Sequence, residues 1–318
     1  MKLRIGSRGS QLALWQANHI AELLRGQGHE VDIQVIKTTG DRLQEVTFAE
    51  VGSKGMFTKE IEQALAASRI DLAVHSLKDL PTELPTGFAL AATPPRVDPR
   101  DVFVSIKHAS LADLPRHARV GTSSQRRRAQ LKALRRDIEA VEFRGNVDTR
   151  LRKLTEGQVD AILLAAAGLD RLGKSDSIRE RLDPADFCPA AGQGALGIEI
   201  REGDVETLAA VAFLDHPETR FAVTAERAAL ATLGGGCQVP IGIHCRPSFA
   251  QEIPTAAWWE IFGVVASPDS GELVRVHLHA PRQNTDPRSL GREAAEVLVA
   301  QGAGELLKAG DGSAGGAA

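Results

Sequence analysis

Three segments of this chain carry residue types that do chemistry. The first is Leu233-Gly234-Gly235-Gly236-Cys237-Gln238-Val239-Pro240. Most lone cysteines are inert core residues. Three consecutive glycines ahead of Cys237, however, read as an open loop rather than a packed element. A thiol just beyond a helix in such a loop suits covalent attachment or nucleophilic work. The second is Gly121-Thr122-Ser123-Ser124-Gln125-Arg126-Arg127-Arg128, where a strand ends, hydroxyls follow and a helix starts. Free backbone N–H groups and the helix dipole make such a junction an anion site, and arginine adds bidentate carboxylate recognition. Arg119 to Lys153 holds eleven Lys/Arg against four Asp/Glu. Within it Arg144 sits where the next strand ends and Arg150 opens the next helix, and strand ends are where α/β sheets hold ligands. The third is Val74-His75-Ser76-Leu77-Lys78-Asp79-Leu80-Pro81. Here a buried strand delivers Lys78 and Asp79 to a loop, and a carboxylate there could stabilise developing positive charge and move protons.

Each segment also has a plain reading. The arginines could form the solvated face of a capped helix, and Lys78–Asp79 a surface ion pair worth at most about 1 kcal/mol. His75 and Ser76 invite a hydrolase reading, but neighbours on an extended strand face opposite ways. Cys245 lies eight residues after Cys237 with His244 beside it, which is no standard zinc spacing. His277 and His279 share a strand face with no third ligand in view, and Cys188 has no special setting. No metal is expected.

The elements that must position these residues alternate. Leu3–Ile5 reads as a strand. A helix follows with Leu12, Trp15, His19, Ile20, Leu23 and Leu24 at helical spacing, Ser10 as N-cap and Gly26 near its stop. Val31–Ile36 reads as a strand, Thr58 as the cap of a helix carrying Ile61 and Leu65, and Leu72–Val74 as a strand. Prolines crowd Thr93–Arg100, which marks a crossing between domains. Beyond it strands are expected at Val102–Ser105, near Val120, at Val141–Phe143 and at Ala161–Leu164, with helices between them, and Ala195–Ile200 is a further strand. The fold class is therefore α/β: two α/β lobes with mainly parallel sheets joined by two crossings, like a two-lobed binding cleft. In the last third, Thr219–Leu233 and Ser289–Leu307 read as helices and Trp258–Val265 and Leu273–His279 as strands, a small α+β domain. The expected boundaries are 1–97 with 193–215 for lobe 1, 98–192 for lobe 2, 216–310 for the third domain and 311–318 for a disordered tail.

With 318 residues the chain exceeds a single core. Its net charge of −3 offers no global polycation for nucleic acid, and no aromatics interleave with the arginines. No apolar run approaches the ~20 residues of a membrane helix. Nothing after Met1 reads as a signal peptide, and three cysteines cannot pair completely. A cytoplasmic protein with free thiols is the expectation.

In their order the three segments resemble the porphobilinogen deaminase family. The resemblance is carried by Arg4–Ser10 with Leu12-Ala13-Leu14-Trp15-Gln16, Thr39-Gly40-Asp41, Gly55-Met56-Phe57-Thr58-Lys59-Glu60, His75–Asp79, Gly121–Arg127, Arg144-Gly145-Asn146-Val147 with Thr149-Arg150-Leu151, Gly192-Gln193-Gly194-Ala195 and Gly235–Gly242. It implies two lobes like those of periplasmic binding proteins and a third domain. It also implies a monomer that joins four porphobilinogen units with loss of ammonia into the linear tetrapyrrole hydroxymethylbilane, on a dipyrromethane cofactor held by a thioether to Cys237. Asp79 would be catalytic. Lys78, Ser124, Arg126, Arg127, Asp41 and Thr122 would hold the cofactor, and Arg8, Ser76, Arg144, Arg150 and Gln193 the substrate. Where relatives often carry lysine and glycine, this chain has Glu50 and Ser53. Beyond Gly242 it departs from the family pattern, and Trp258-Trp259 reads as local core. The competing reading is a non-catalytic two-lobed binding protein for a small carboxylated ligand, which would need neither Cys237 nor Asp79.

Overall fold

The computed structural model describes residues 1–38, 58–235, 239–249, 257–267 and 270–311. The chain divides into two compact units, residues 1–97 with 194–220 and residues 98–193 with 221–318. The first change of unit falls between Val97 and Asp98, inside the proline cluster. The second falls between Gln193 and Gly194 and returns the chain to the first unit.

In the first unit β1 (Lys2–Ser7), β2 (Glu30–Val35), β3 (Leu72–Ser76), β4 (Phe88–Ala92) and β10 (Leu196–Arg201) form a sheet in the order β2-β1-β3-β10-β4. β1 pairs parallel with β2 and β3, and β10 pairs antiparallel with both β3 and β4. Four strands thus run one way and β10 is the reversed one. It is also the first strand after the chain returns, so it is not delivered by a βαβ crossover and is free of that rule. Helix α1 (Gln11–Gly26) starts where expected, with the Ser10 Oγ accepting from the Ala13 N–H at 3.3 Å, a cap worth about 1 kcal/mol. Its Ala17, Ile20, Ala21 and Leu24 are buried with Leu3, Ile5, Leu72, Val74 and Ile198 on one face of the sheet. Each large aliphatic side chain removed from water there contributes about 2 kcal/mol. Helix α2 (Lys59–Ala66) buries Ile61, Ala64 and Leu65 with Ile70 and Ala73 in a separate cluster. Thr58 precedes it but makes no side-chain cap bond, contrary to the sequence expectation.

The second unit repeats this order. β5 (Asp101–Ser105), β6 (Arg119–Gly121), β7 (Glu139–Val141), β8 (Ala161–Ala165) and β9 (Glu180–Arg181) stand as β7-β6-β8-β5-β9. The reversed strand is again the first after a change of unit, β5. Helices α3 (Gln125–Leu134), α4 (Val147–Thr155) and α5 (Ala166–Arg171) follow β6, β7 and β8. The β7 strand lies two residues earlier than expected, because Phe143 has left the sheet to be buried with Leu154, Ile162 and Leu164.

The same unit carries a three-stranded antiparallel sheet, β11 (Ile241–Phe249), β12 (Ala257–Ala266) and β13 (Leu273–Pro281), in that order. One face is buried with helices α7 (Pro217–Thr232), α8 (Pro287–Ala300) and α9 (Ala303–Asp311) around Ile243, Ile261, Ala225, Ala294 and Leu298. Trp259 is buried here and stacks on Phe221 at 3.9 Å, so the expectation of local core holds for it. The closing helix expected at 289–307 is two helices, broken at Gly302, whose φ of +97 no helix tolerates. Strand β11 escaped the sequence reading because Pro247 interrupts it. Proline is tolerated there because β11 is an edge strand. Helix α6 (Val205–Val211) completes the first unit.

Candidate active site

Asp79 ends a single 3₁₀ turn, Leu77–Asp79, that follows β3 directly. The Leu77 N–H donates to the Ala195 carbonyl at 3.0 Å and the Leu77 side chain is buried. This anchors the turn and leaves Asp79 exposed. In the first unit Asp79 lines a concave pocket open to solvent, together with Arg8, Ser10, Gln16, His75 and Ser76. Arg8 comes from the loop between β1 and α1, Gln16 from α1, and His75 and Ser76 from the end of β3. A carboxylate, a guanidinium and several hydrogen-bonding groups therefore converge on one concave surface, with Leu12, Ile61 and Val74 as its apolar lining.

The groups behind this surface are held by specific bonds. The Gln16 amide donates to the Ser76 Oγ at 2.7 Å. His75 Nε2 lies 2.8 Å from Glu199 Oε2, both buried. Ser76 and His75 thus spend their polar atoms on different partners, and the nucleophile–base pair of a hydrolase is not formed. Glu62 of α2 feels the same charges. Loss of water and then the Glu199 carboxylate raise its carboxyl above the ordinary value, while the Thr58 hydroxyl and, less, His75 oppose them. Sequence reasoning missed Gln16 and Glu199. The available signals were a glutamine on the buried face of an apolar helix and a glutamate inside the apolar run Leu196–Ile200.

In the second unit the basic segment gathers around one acid. Asp101, at the start of β5, is fully buried. Its Oδ2 accepts from Arg126 Nη1 at 2.6 Å, and its Oδ1 accepts from Arg127 Nε at 2.9 Å, Arg127 Nη2 at 2.8 Å and Gln193 Nε2 at 2.9 Å. Burial pushes the Asp101 carboxyl up, but the two guanidiniums outweigh it and hold it well below the usual carboxylate range. Two cations on one carboxylate leave a net positive charge. Arg126 and Arg127 are themselves almost fully buried, with Arg126 also donating to the Cys188 carbonyl at 2.6 Å and Arg127 to the Leu163 carbonyl at 3.1 Å. Gln193 gives its amide to Asp101 and, at 2.7 Å, to the Pro99 carbonyl. It is a buried member of this cluster.

The remaining basic residues lie around the start of α4. Arg144 Nε donates to Glu142 Oε1 at 2.7 Å and Arg150 Nε to the Gly145 carbonyl at 2.8 Å. Desolvation, with Arg127 next and Arg144 adding to it, pushes Arg150 down to about 10 against the pull of Glu142. It is charged at neutral pH in a field of other cations, the setting that a bound carboxylate relieves. Ser124 caps α3, its Oγ accepting from the Arg127 N–H at 3.4 Å. Thr122 is fully buried and its Oγ1 accepts from the Ser124 N–H at 3.2 Å. Arg171, unremarked in the sequence, is buried in α5, and desolvation lowers it to about 10.

Cys237 and Asp41 lie outside the described residues. The approach to Cys237 is described up to Gly235. Gly234 has φ +67 and ends α7, its N–H donating to Ala231 and the Gly235 N–H to Leu230, a Schellman pattern. A Cβ at Gly235 would come within 2.6 Å of Leu230 Cδ1 and 2.8 Å of Ile241 Cδ1. Gly234 therefore stops a helix and Gly235 packs against its neighbours, so the first two glycines of the run are structured and not simply open loop. Cys188 is buried and burial pushes its thiol far up. Cys245 is buried in the core, while His244 turns to Glu226 at 3.3 Å. Lys78 is half-buried beside Asp79 in sequence.

Residues 3–209 match the family description "Porphobilinogen deaminase, dipyromethane cofactor binding domain", and residues 220–300 match "Porphobilinogen deaminase, C-terminal domain". The C-terminal match corrects the expectation that the chain departs from the family beyond Gly242. Curated porphobilinogen deaminases of Nitratidesulfovibrio vulgaris, Syntrophobacter fumaroxidans and Brevibacillus brevis are 50%, 48% and 47% identical, each over 96% of this chain and 96%, 97% and 96% of their own. Among solved structures, the methionine-binding protein MetQ aligns with a TM-score of 0.44 at 12% identity, over 67% of this chain and 89% of its own. The chain belongs to the porphobilinogen deaminase family.

Proposed function

We propose that this chain joins four porphobilinogen molecules, with release of ammonia, into hydroxymethylbilane, primed by a dipyrromethane attached through a thioether to Cys237. The observation that carries the reading is the exposed carboxylate of Asp79 in a pocket shared with Arg8, Gln16 and Ser76, in a chain of this family. A binding protein for a small acid has use for the arginines but not for Asp79 or Cys237, and family membership favours the catalytic reading.

The residues suit a ligand rich in carboxylates. Each pyrrole of substrate or cofactor bears an acetate and a propionate. The second unit offers a cationic cluster of Arg126, Arg127, Arg144 and Arg150, with Asp101 and Glu142 bonded to it. When bound, dipyrromethane supplies the electron-rich pyrrole on which the chain grows. Arg126 and Arg127, fixed by Asp101, and Ser124, Thr122, Lys78 and Asp41 would hold it. Arg8, Ser76, Arg144, Arg150 and Gln193 serve the incoming substrate, Gln193 through its hold on Asp101. As ammonia leaves the substrate, its C–N bond breaks and positive charge spreads over the pyrrole. Asp79 would stabilise that charge through the pyrrole N–H and accept the proton lost when aromaticity returns. Such a residue contributes typically 10²–10⁴-fold.

We assign the enzyme to the cytoplasm as a monomer of two α/β lobes (1–97 with 193–215, and 98–192) and a third domain (216–310). No described helix is long and apolar enough to cross a membrane. Intact mass of the purified protein and of Cys237→Ser tests the function. A mass excess of one dipyrromethane in the wild type alone, with ammonia released from porphobilinogen, is the expected result. Neither adduct nor ammonia on adding porphobilinogen would return the binding-protein reading.

A further inference from the structure

The second face of the three-stranded sheet, where Phe262 and Val264 are buried with Cys188, carries a second constellation at its exposed part, away from Asp79 in sequence and in the other unit. His277 and His279 alternate along β13 and so project from one face. In the pairing of β12 with β13, Glu260 lies opposite His279 and Phe262 opposite His277. The sequence offered no third ligand for the two histidines, and the strand register supplies it. His277 Nε2 and His279 Nδ1 each lie 3.8 Å from Glu260 Oε1. One ligand atom from each of the three residues falls within 4.8 Å of the other two.

We propose that Glu260, His277 and His279 form a site for a divalent late first-row transition ion of the zinc, nickel and copper class. Two imidazoles and a carboxylate are the donor set such ions select, whereas calcium and magnesium demand oxygen. Tetrahedral ligands at 2.0–2.1 Å from an ion stand about 3.4 Å apart, so side-chain rotation must close the two histidine–glutamate separations of 3.8 Å by about 0.4 Å and the widest separation, within 4.8 Å, by up to about 1.4 Å. Half-exposed histidines can make that adjustment.

The neighbours orient the ligands. Glu260 is largely buried, and its other oxygen, Oε2, accepts from Arg246 Nε at 2.9 Å, so Oε1 is the atom presented to the histidines. The His277 ring stacks on Phe262 at 4.2 Å. Such outer contacts fix ligand direction in metal sites. Arg246 also brings positive charge, which works against any cation. It restricts the site to ions that bind imidazole strongly. Three protein ligands leave coordination positions for water.

Calorimetric titration of the full-length holoenzyme with Zn²⁺, at neutral pH and free of imidazole, tests this. One equivalent should bind, raising Tm, and His277→Ala and His279→Ala should each weaken binding at least tenfold while porphobilinogen turnover is unchanged. Those side chains are half-exposed, so the variants keep the fold. Absence of binding, or binding unaltered in the double histidine variant, overturns the site. So does zinc that persists in that variant and vanishes in Cys237→Ser.

Discussion

Arg126 and Asp101 form a buried ion pair in which Nη1 donates to Oδ2 at 2.6 Å, and the opposite carboxylate oxygen of the same Asp101 takes two bonds from Arg127. One acid therefore fixes the two arginines proposed to meet the cofactor. A buried charge stripped of its partner is far more costly than the pair is stabilising. Asp101→Asn should cost about 3–5 kcal/mol of unfolding free energy. Urea denaturation should show it as a lower midpoint at unchanged slope, and an unchanged midpoint would mean that the arginines find another anion.

Asp79 is the opposite case. It is exposed, and Leu77 rather than Asp79 anchors its turn to the sheet. Asp79→Asn should shift stability by no more than about 0.5 kcal/mol and lower kcat by about 10²–10⁴-fold, with the adduct mass at Cys237 retained. Turnover within a few-fold of wild type would remove Asp79 from the chemistry.

What the sequence showed of this site depended on local signals. The Ser10 cap, the strand leading into Lys78-Asp79 and the hydroxyl-to-arginine junction at α3 are each written in fewer than about ten contiguous residues, and all three are found in place. The partners of these residues were hidden because they come from elsewhere. Asp101 is 25 residues from Arg126 and Glu199 is 124 from His75. Only the inserted antiparallel strands β5 and β10 bring them in. The same holds for Glu260 beside His277 and His279, which are set by the register of β12 on β13. Those reversed strands follow the two changes of unit, a feature of topology rather than of local periodicity.

Glu62 carries a pH signature. Desolvation first, then the Glu199 charge, raise its carboxyl above the ordinary value. Between about pH 4, where an unfolded glutamate ionises, and its higher native value, the folded protein keeps a proton the unfolded chain has lost. Stability contributed by this group therefore falls as pH rises through that window. Glu62→Gln abolishes the effect. The Tm difference between Glu62→Gln and wild type should grow in favour of the variant from about pH 4 towards neutrality. A difference independent of pH would show that Glu62 does not titrate abnormally.

The arginines should separate into two kinds of failure. Arg126 and Arg127 are buried on Asp101, so Arg126→Ala and Arg127→Ala leave buried polar atoms behind, and reduced stability should accompany defective capture of the cofactor. Arg144 bonds to Glu142 and Arg150 to a main-chain carbonyl, both part-exposed. Losing either should leave Tm within a few degrees while raising the KM for porphobilinogen about tenfold, the ~1.4 kcal/mol of a single charge-assisted carboxylate contact. Arg150→Lys should recover only part of that, since a lysine offers charge without the planar fork. Intact mass after a short pulse of porphobilinogen reads the same step directly. Enzyme carrying incomplete chains should accumulate in Arg144→Ala and Arg150→Ala relative to wild type. Wild-type kinetics in both variants would mean that the cationic cluster around α4 does not meet the growing chain.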